Sequence, residues 1–82
     1  MRVLQQVTDV FRDMFDSEEL VISRETTAAD VYGWDSLMHV RLTLAVEKAF
    51  GIRFTTSEVA SFSNVGDLVD AIERKANHQP RG

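Results

Sequence analysis

Ser36 is the residue in this sequence best placed for covalent chemistry. It stands in Gly33-Trp34-Asp35-Ser36-Leu37-Met38-His39-Val40, where a loop gives way to an apolar-periodic run that begins at Leu37. Gly33 relaxes the backbone just before the junction, and Asp35 puts a negative charge where the helix dipole favours one. Three uses of such a hydroxyl follow. Asp35 or Ser36 can simply cap the helix by accepting a backbone N–H. Ser36 can be a nucleophile with His39 as its base, since residues three apart on a helix are neighbours. Or the hydroxyl can anchor a phosphodiester, because the free N–H groups and the dipole of a helix N-terminus stabilise phosphate. The nucleophile lacks its supporting parts: it needs an oriented base and an oxyanion hole, while His78 lies in the tail and no Gly-x-Ser-x-Gly turn exists. An exposed helix position accounts for His39.

The elements that must hold Ser36 can be read from apolar spacing. Val3, Val7, Val10 and Met14, with Leu4, Phe11 and Phe15 beside them, give one apolar face and a helix over residues 2–15. Residues 16–35 form a connection whose length counts against a compact domain unless it is anchored. Leu20, Val21 and Ile22 are expected to tuck into the bundle, Ser17-Glu18-Glu19 to form a helical turn, and Val31, Tyr32 and Trp34 to make a second apolar patch, where Trp34 either closes the bundle end, the commoner use of a large aromatic, or flanks a group attached at the serine. The second helix, over 36–50, is apolar on two sides. Leu42, Ala45, Val46, Ala49 and Phe50 form a broad face directed at the core, whereas Leu37, Val40 and Leu44, flanked by Arg41 and Lys48, form a narrower stripe that either packs on a neighbour or stays open.

Gly51 ends that helix as a left-handed cap, and Ile52-Arg53-Phe54 runs extended. Thr55-x-x-Glu58 reads as a capping box for a short helix over 56–61, and Asn64-x-x-Asp67 caps another over 65–76. Arg74 and Lys75 fall in its last turn, where cations suit the dipole. Residues 77–82 have no apolar anchor and should fray. The expected architecture is one all-α domain over residues 1–76: a four-helix bundle of three main helices and one short helix, with a long loop between helices 1 and 2. Its expected core is Val7, Phe11, Leu42, Val46, Phe50, Phe54, Val59, Phe62, Leu68 and Ile72.

Composition sets outer bounds. Eighty-two residues make one small domain. With no cysteine there is no disulfide framework, thiolate metal site or catalytic thiol, so thiol chemistry has to come from something attached. No apolar run approaches the length of a membrane span, and the first six residues lack a signal peptide's apolar stretch; a soluble cytoplasmic protein is expected. Residues 1–35 carry eight acidic against three basic side chains, while the remainder, with five against six, is close to neutral. An acidic chain without a basic stripe argues against nucleic acid or an anionic membrane as partner.

Asp35-Ser36-Leu37, with Val40, Leu42, Glu47, Phe50 and Ile52 following in step, resembles the attachment motif of acyl carrier proteins, and the likeness runs from about residue 3 to about residue 76. In that family the serine carries a covalent 4'-phosphopantetheine arm derived from coenzyme A, whose terminal thiol holds an acyl group as a thioester. The resemblance implies a monomeric carrier, not an enzyme. Ser36 would be modified by a phosphopantetheinyl transferase, with Asp35 and Leu37 completing the motif, and acyl-loading, acyl-transfer and condensing or tailoring enzymes would be further partners. Carrier proteins present the start of this helix to their enzymes, which makes Leu37, Met38, Val40, Arg41, Leu44 and Lys48 the implied docking residues. An aspartate before the serine is more similar to acyl than to peptidyl carriers and leans towards fatty-acid, polyketide or related specialised chemistry. D-alanyl carriers usually have methionine where this chain has Leu37. The sequence departs from fatty-acid carriers, which tend to line this helix with acids: between residues 36 and 50 the only acid here is Glu47. A helical adaptor without a prosthetic group, binding a partner helix on Leu37, Val40 and Leu44, is the alternative from another class.

Overall fold

The computed structural model describes residues 2–77 and is helical throughout its regular parts. It contains α1 (Arg2–Met14), α2 (Ser36–Phe50), the short α3 (Thr56–Ser61) and α4 (Val65–Asn77), with one turn of 3-10 helix at Ala28–Asp30. The order of three main helices and one short one is the expected one. The expected fraying over 77–82 falls, for residues 78–82, outside the described residues, whereas Asn77 still belongs to α4.

α1 lies against both α2 and α4. Val7 and Phe11 of α1, Leu42 and Val46 of α2, and Val65, Leu68, Val69 and Ile72 of α4 make a common buried core, completed by Ile22 from the long loop and Ile52 from the connection after α2. Four residues expected inside this core are not. Phe50, Phe54, Val59 and Phe62 are only half-buried, and Ala49 is exposed. The reason is the place of α3, which has six residues and buries none of them. It covers one end of the bundle instead of entering it, so its flanking aromatics form a rim and the smaller Ile52 and Val65 fill the interior.

The helix boundaries have local causes. Asp35 caps α2, its carboxylate accepting the Met38 N–H at 2.9 Å. Gly51 ends the helix at φ 66°, a left-handed conformation that costs glycine little. The Ile52 N–H then donates to the Glu47 carbonyl at 3.1 Å and the Phe54 N–H to the Glu47 carboxylate at 2.7 Å, which pins the exit of α2. In α3 the Thr55 hydroxyl accepts the Glu58 N–H at 3.1 Å and Glu58 accepts the Thr55 N–H at 2.8 Å, the reciprocal box its sequence announces. The Thr55 N–H and the Lys75 ammonium together hold the Glu58 carboxyl below its ordinary range. Lys75 was expected only to suit the α4 dipole. It reaches across to Glu58 at 2.9 Å and lies 5.9 Å from the centre of the Phe54 ring, so it ties α3 to α4.

The long loop is held down by α4. The carbonyls of Arg24 and Thr26 accept the N–H groups of Gly66 and Val65 at 2.7 and 2.8 Å, filling donors that a helix start leaves open. Arg24 pairs with Asp70 at 2.9 Å, and Arg12 donates from Nε to the Leu20 carbonyl at 2.8 Å. Ile22 and Val31 are buried as expected, but Val21 is 78% exposed and Tyr32 fully exposed. Burying Ile22 turns its neighbour Val21 outward, and Tyr32 is carried into water by the turn that the Trp34 N–H closes on the Val31 carbonyl at 3.2 Å. Ser17-Glu18-Glu19 forms a simple turn; the helical turn comes later, at Ala28–Asp30, where the Asp30 carboxylate accepts the Thr27 N–H at 2.9 Å.

This contact favours glycine at position 66 for a reason unrelated to flexibility. A Cβ there would sit 3.0 Å from the Arg24 carbonyl oxygen and 3.3 Å from the Arg24 Cβ. Glycine to alanine in a helix ordinarily stabilises by about 1 kcal/mol. Here the crowded atom is backbone, fixed by the Gly66 N–H itself, so Gly66→Ala is expected to destabilise by about 1–2 kcal/mol net. Urea unfolding of the variant checks the sign; a gain in midpoint would show that the loop yields.

Candidate functional site

Ser36 is the first residue of α2, and capping falls to its neighbour. Gly33 adopts φ 90°, a conformation that favours glycine, and so turns the chain into the Asp35 cap. Because the Asp35 carboxylate already takes the Met38 N–H, capping does not occupy the serine. Ser36 is exposed, and among the described residues its hydroxyl has no hydrogen-bond partner. Among the described residues the N–H groups of Ser36 and Leu37, at the open end of the helix, find no acceptor. A free hydroxyl beside free amides at the positive end of a 15-residue helix is suited to holding a phosphate ester.

Behind Ser36 runs a row of rings. Phe11 meets Trp34 edge-on at 5.1 Å between centres, Trp34 stacks on His39 at 5.9 Å, and His39 meets Phe62 at 6.3 Å, which in turn meets Phe54 at 5.2 Å. Trp34 packs on Phe11 as a residue closing the bundle end would, and it also lines the space beside Ser36, so both uses of its ring stay open. His39 is the correction: it is no exposed helix residue. Its Nδ1 accepts the Trp34 indole N–H at 3.1 Å, and its Nε2 lies 2.9 Å from the Val59 carbonyl oxygen. An indole only donates and a carbonyl only accepts, so this pair of bonds assigns the neutral ring with its proton on Nε2. Neither nitrogen is left to take a proton from Ser36. The nucleophile reading loses its only base.

A groove of about 550 Å³ opens beside Ser36, lined by Trp34, Asp35, His39 and Val40, by Thr56, Val59 and Ala60 of α3, and by Phe62. The residues from α3 were not foreseen. The capping box located this helix in the chain, but nothing in the sequence states where a helix with no buried residue will lie. Asp35, Ser36 and Leu37 are together at the helix end. Leu37, Val40 and Leu44 are 63%, 49% and 57% exposed, so the narrow stripe is open and not packed on a neighbour. Arg41 and Lys48 are exposed and Met38 is half-buried. Leu44 and Lys48 sit about 12 and 18 Å along the axis from Ser36 at the usual helical rise. Among the described residues no group of His, Cys, Asp or Glu is placed to hold a metal ion, and no helix is long and apolar enough to cross a membrane.

The model of the phosphopantetheine attachment site family matches residues 5–72. The chain belongs to the acyl carrier protein family. It is 32% identical over 72 residues to an acyl carrier protein of Coprothermobacter proteolyticus, covering 88% of each chain. With that of Clostridium acetobutylicum it shares 34% over 71 residues, covering 87% of this chain and 92% of the relative. Acyl carrier protein MbtL of a Mycobacterium species is 30% identical over 76 residues, covering 93% and 85%. The solution structure of a holo acyl carrier protein from Geobacter metallireducens superposes with a TM-score of 0.84 at 38% identity, covering 99% of this chain and 98% of that one. As a member of this family the protein is a carrier and not an enzyme, and its prosthetic group is a covalent 4'-phosphopantetheine. The free Ser36 hydroxyl, the open amides of α2 and the adjoining groove fit such a group.

Proposed function

We propose that Ser36 is the attachment residue and that the protein carries acyl intermediates among the enzymes of a fatty-acid, polyketide or related specialised pathway, as a cytoplasmic monomer. The observation that carries this reading is the division of labour at the start of α2: Asp35 caps, and Ser36 is left exposed with an unused hydroxyl. When bound, the prosthetic group supplies a flexible tether ending in a thiol, the point of cargo attachment. The chain itself supplies the rest. Asp35 and Gly33 fix the helix end, the Ser36 and Leu37 amides face the phosphate, and the bundle holds this end rigid through Trp34 and Phe11. Incubation with coenzyme A and a broad-specificity phosphopantetheinyl transferase should raise the intact mass by one arm; an unchanged mass would overturn the assignment.

Partner enzymes would dock on the open stripe of Leu37, Val40 and Leu44 together with Met38, Arg41 and Lys48. Arg41 is exposed and takes no part in the Arg24–Asp70 or Lys75–Glu58 ion pairs. A basic enzyme patch suited to an acidic helix would meet Arg41 and Lys48 with repulsion, and such like-charge contact suppresses wrong partners. A dedicated partner with an acid near Arg41 is the reading that follows. Arg41→Glu is expected to slow transfer with the cognate enzyme and to improve it with a fatty-acid synthase enzyme, by about 5–10-fold at low salt and less as salt screens the charges. Equal rates for variant and wild type with both enzymes would show that Arg41 is merely solvated.

A further inference from the structure

The two sides of Ser36 carry opposite charge. On the side of α2 stand Arg41 and Lys48, both exposed, while the one acid of that helix, Glu47, turns its carboxylate back to the Phe54 N–H. On the side of the long loop, residues 16–35 hold six acids, all exposed, against the single base Arg24, which is tied to Asp70. Tyr32 stands in this acidic stretch, four residues before Ser36 and so within about 14 Å of it along the chain. It is fully exposed, does not line the groove, and among the described residues its side chain makes no hydrogen bond or ring contact. The turn that presents it is nevertheless fixed. Val31 is buried, the Trp34 N–H closes on the Val31 carbonyl at 3.2 Å, Gly33 takes φ 90°, and Trp34 is held between Phe11 and His39. A tyrosine on a fixed turn loses only two torsions on binding and offers a broad face, which is why such residues dominate binding hot spots. Two residues earlier, Asp30 gives Oδ2 to Thr27 and has no partner for Oδ1 among the described residues.

The chemistry of loading decides which partner this side suits. Ser36 Oγ forms a bond to the phosphorus of coenzyme A that bears the pantetheine; the bond from that phosphorus to the adenosine bisphosphate half breaks, the electron pair leaves with that half, and the hydroxyl proton passes to a base of the transferase. Coenzyme A carries a diphosphate and a further phosphate, so the enzyme that holds it surrounds the reacting phosphorus with cations. That cationic mouth has to come within bonding distance of Ser36. Arg41 and Lys48 repel it, whereas the loop attracts it, and an arginine on its rim can stack on the Tyr32 ring. We propose that Tyr32, with Asp30 beside it, is the docking contact for the phosphopantetheinyl transferase, so that the arm is installed from the acidic loop side of Ser36 while acyl enzymes use the α2 stripe. The proposal rests on Ser36 being the attachment residue. The two docking faces meet at one hydroxyl, and the charge of each disfavours the enzymes of the other.

Steady-state loading with coenzyme A and the broad-specificity transferase, followed by intact mass, tests this by separating KM for the carrier from kcat. Tyr32→Ala is expected to raise KM by about 10–30-fold with kcat unchanged, and Tyr32→Phe, which keeps the ring face, to stay near the wild type. Asp30→Asn, whose amide oxygen can still accept the Thr27 N–H, should raise KM by about 2–5-fold at low salt, an increment that vanishes as salt screens the charge. Arg41→Glu, which removes a repulsion, should lower KM by a similar factor. The fold is not at stake, because a fully exposed Tyr32 has no packing for alanine to remove, and an equal thermal midpoint checks this. A KM for Tyr32→Ala equal to that of the wild type would overturn the proposal, as would a fall in kcat with KM unmoved. If the wild type itself gains no arm, the mass shows it first and the attachment reading falls, taking this proposal with it; a wild type that loads normally beside an indifferent Tyr32→Ala sinks this proposal alone.

Discussion

Ser36→Ala is expected to abolish loading completely while leaving the helices intact. The separation of these two effects comes from the geometry at the start of α2. Had Ser36 been the cap, alanine would have cost about 1 kcal/mol and frayed the helix. The cap is Asp35, which accepts the Met38 N–H at 2.9 Å, and alanine is the best helix former at the position after it. Far-UV circular dichroism and the thermal midpoint should therefore match the wild type, and intact mass after incubation with coenzyme A and transferase should show no gain. A variant that still gains the arm would place the attachment elsewhere. A variant that loses both arm and helix would mean that the serine hydroxyl supports the fold.

Phe11→Ala should have the largest effect on stability. The Phe11 side chain is fully buried and packs on Phe15 at 5.8 Å and Trp34 at 5.1 Å between ring centres. Truncating a buried phenylalanine to alanine typically costs about 3–5 kcal/mol, part transfer and part cavity. A domain of this size has a total stability of about 4–12 kcal/mol, so a large share would be lost. Phe50→Ala, by contrast, removes a ring that is only half-buried and should cost clearly less. Urea unfolding of both variants checks the order. If Phe50→Ala proved the more damaging, the rim of the bundle would matter more than its burial indicates.

What the sequence disclosed, it disclosed through local chemistry. The limits of α2 were legible because Asp35 and Gly51 mark them by mechanisms that need no tertiary context, a side-chain acceptor at one end and a left-handed residue at the other. The capping box of α3 and the cap of α4, where the Asn64 side-chain oxygen accepts the Asp67 N–H at 2.8 Å, were legible for the same reason. Ser36 became a chemical candidate from its position, and the family's prosthetic group followed from resemblance. Other features depend on packing between segments distant in the chain. Whether Tyr32 or Val31 faces inward is decided by the loop's path over the bundle, which is fixed where Arg24 and Thr26 of the loop meet Val65, Gly66 and Asp70 of α4. His39 looked like a surface residue because its two partners, Trp34 and Val59, belong to the loop and to α3, and only the folded chain brings them to it.

The ring row also gives the protein a built-in optical probe. The chain has one tryptophan and one tyrosine, and they occupy opposite environments: Tyr32 stands wholly in water, while Trp34 is half-buried, stacked on the imidazole and lining the groove that begins at Ser36. Excited at the red edge, where tyrosine does not absorb, the emission comes from Trp34 alone. Its colour and intensity follow the polarity and hydrogen bonding at the indole N–H, so any change in the surroundings of the groove can be timed by stopped flow on the unlabelled protein.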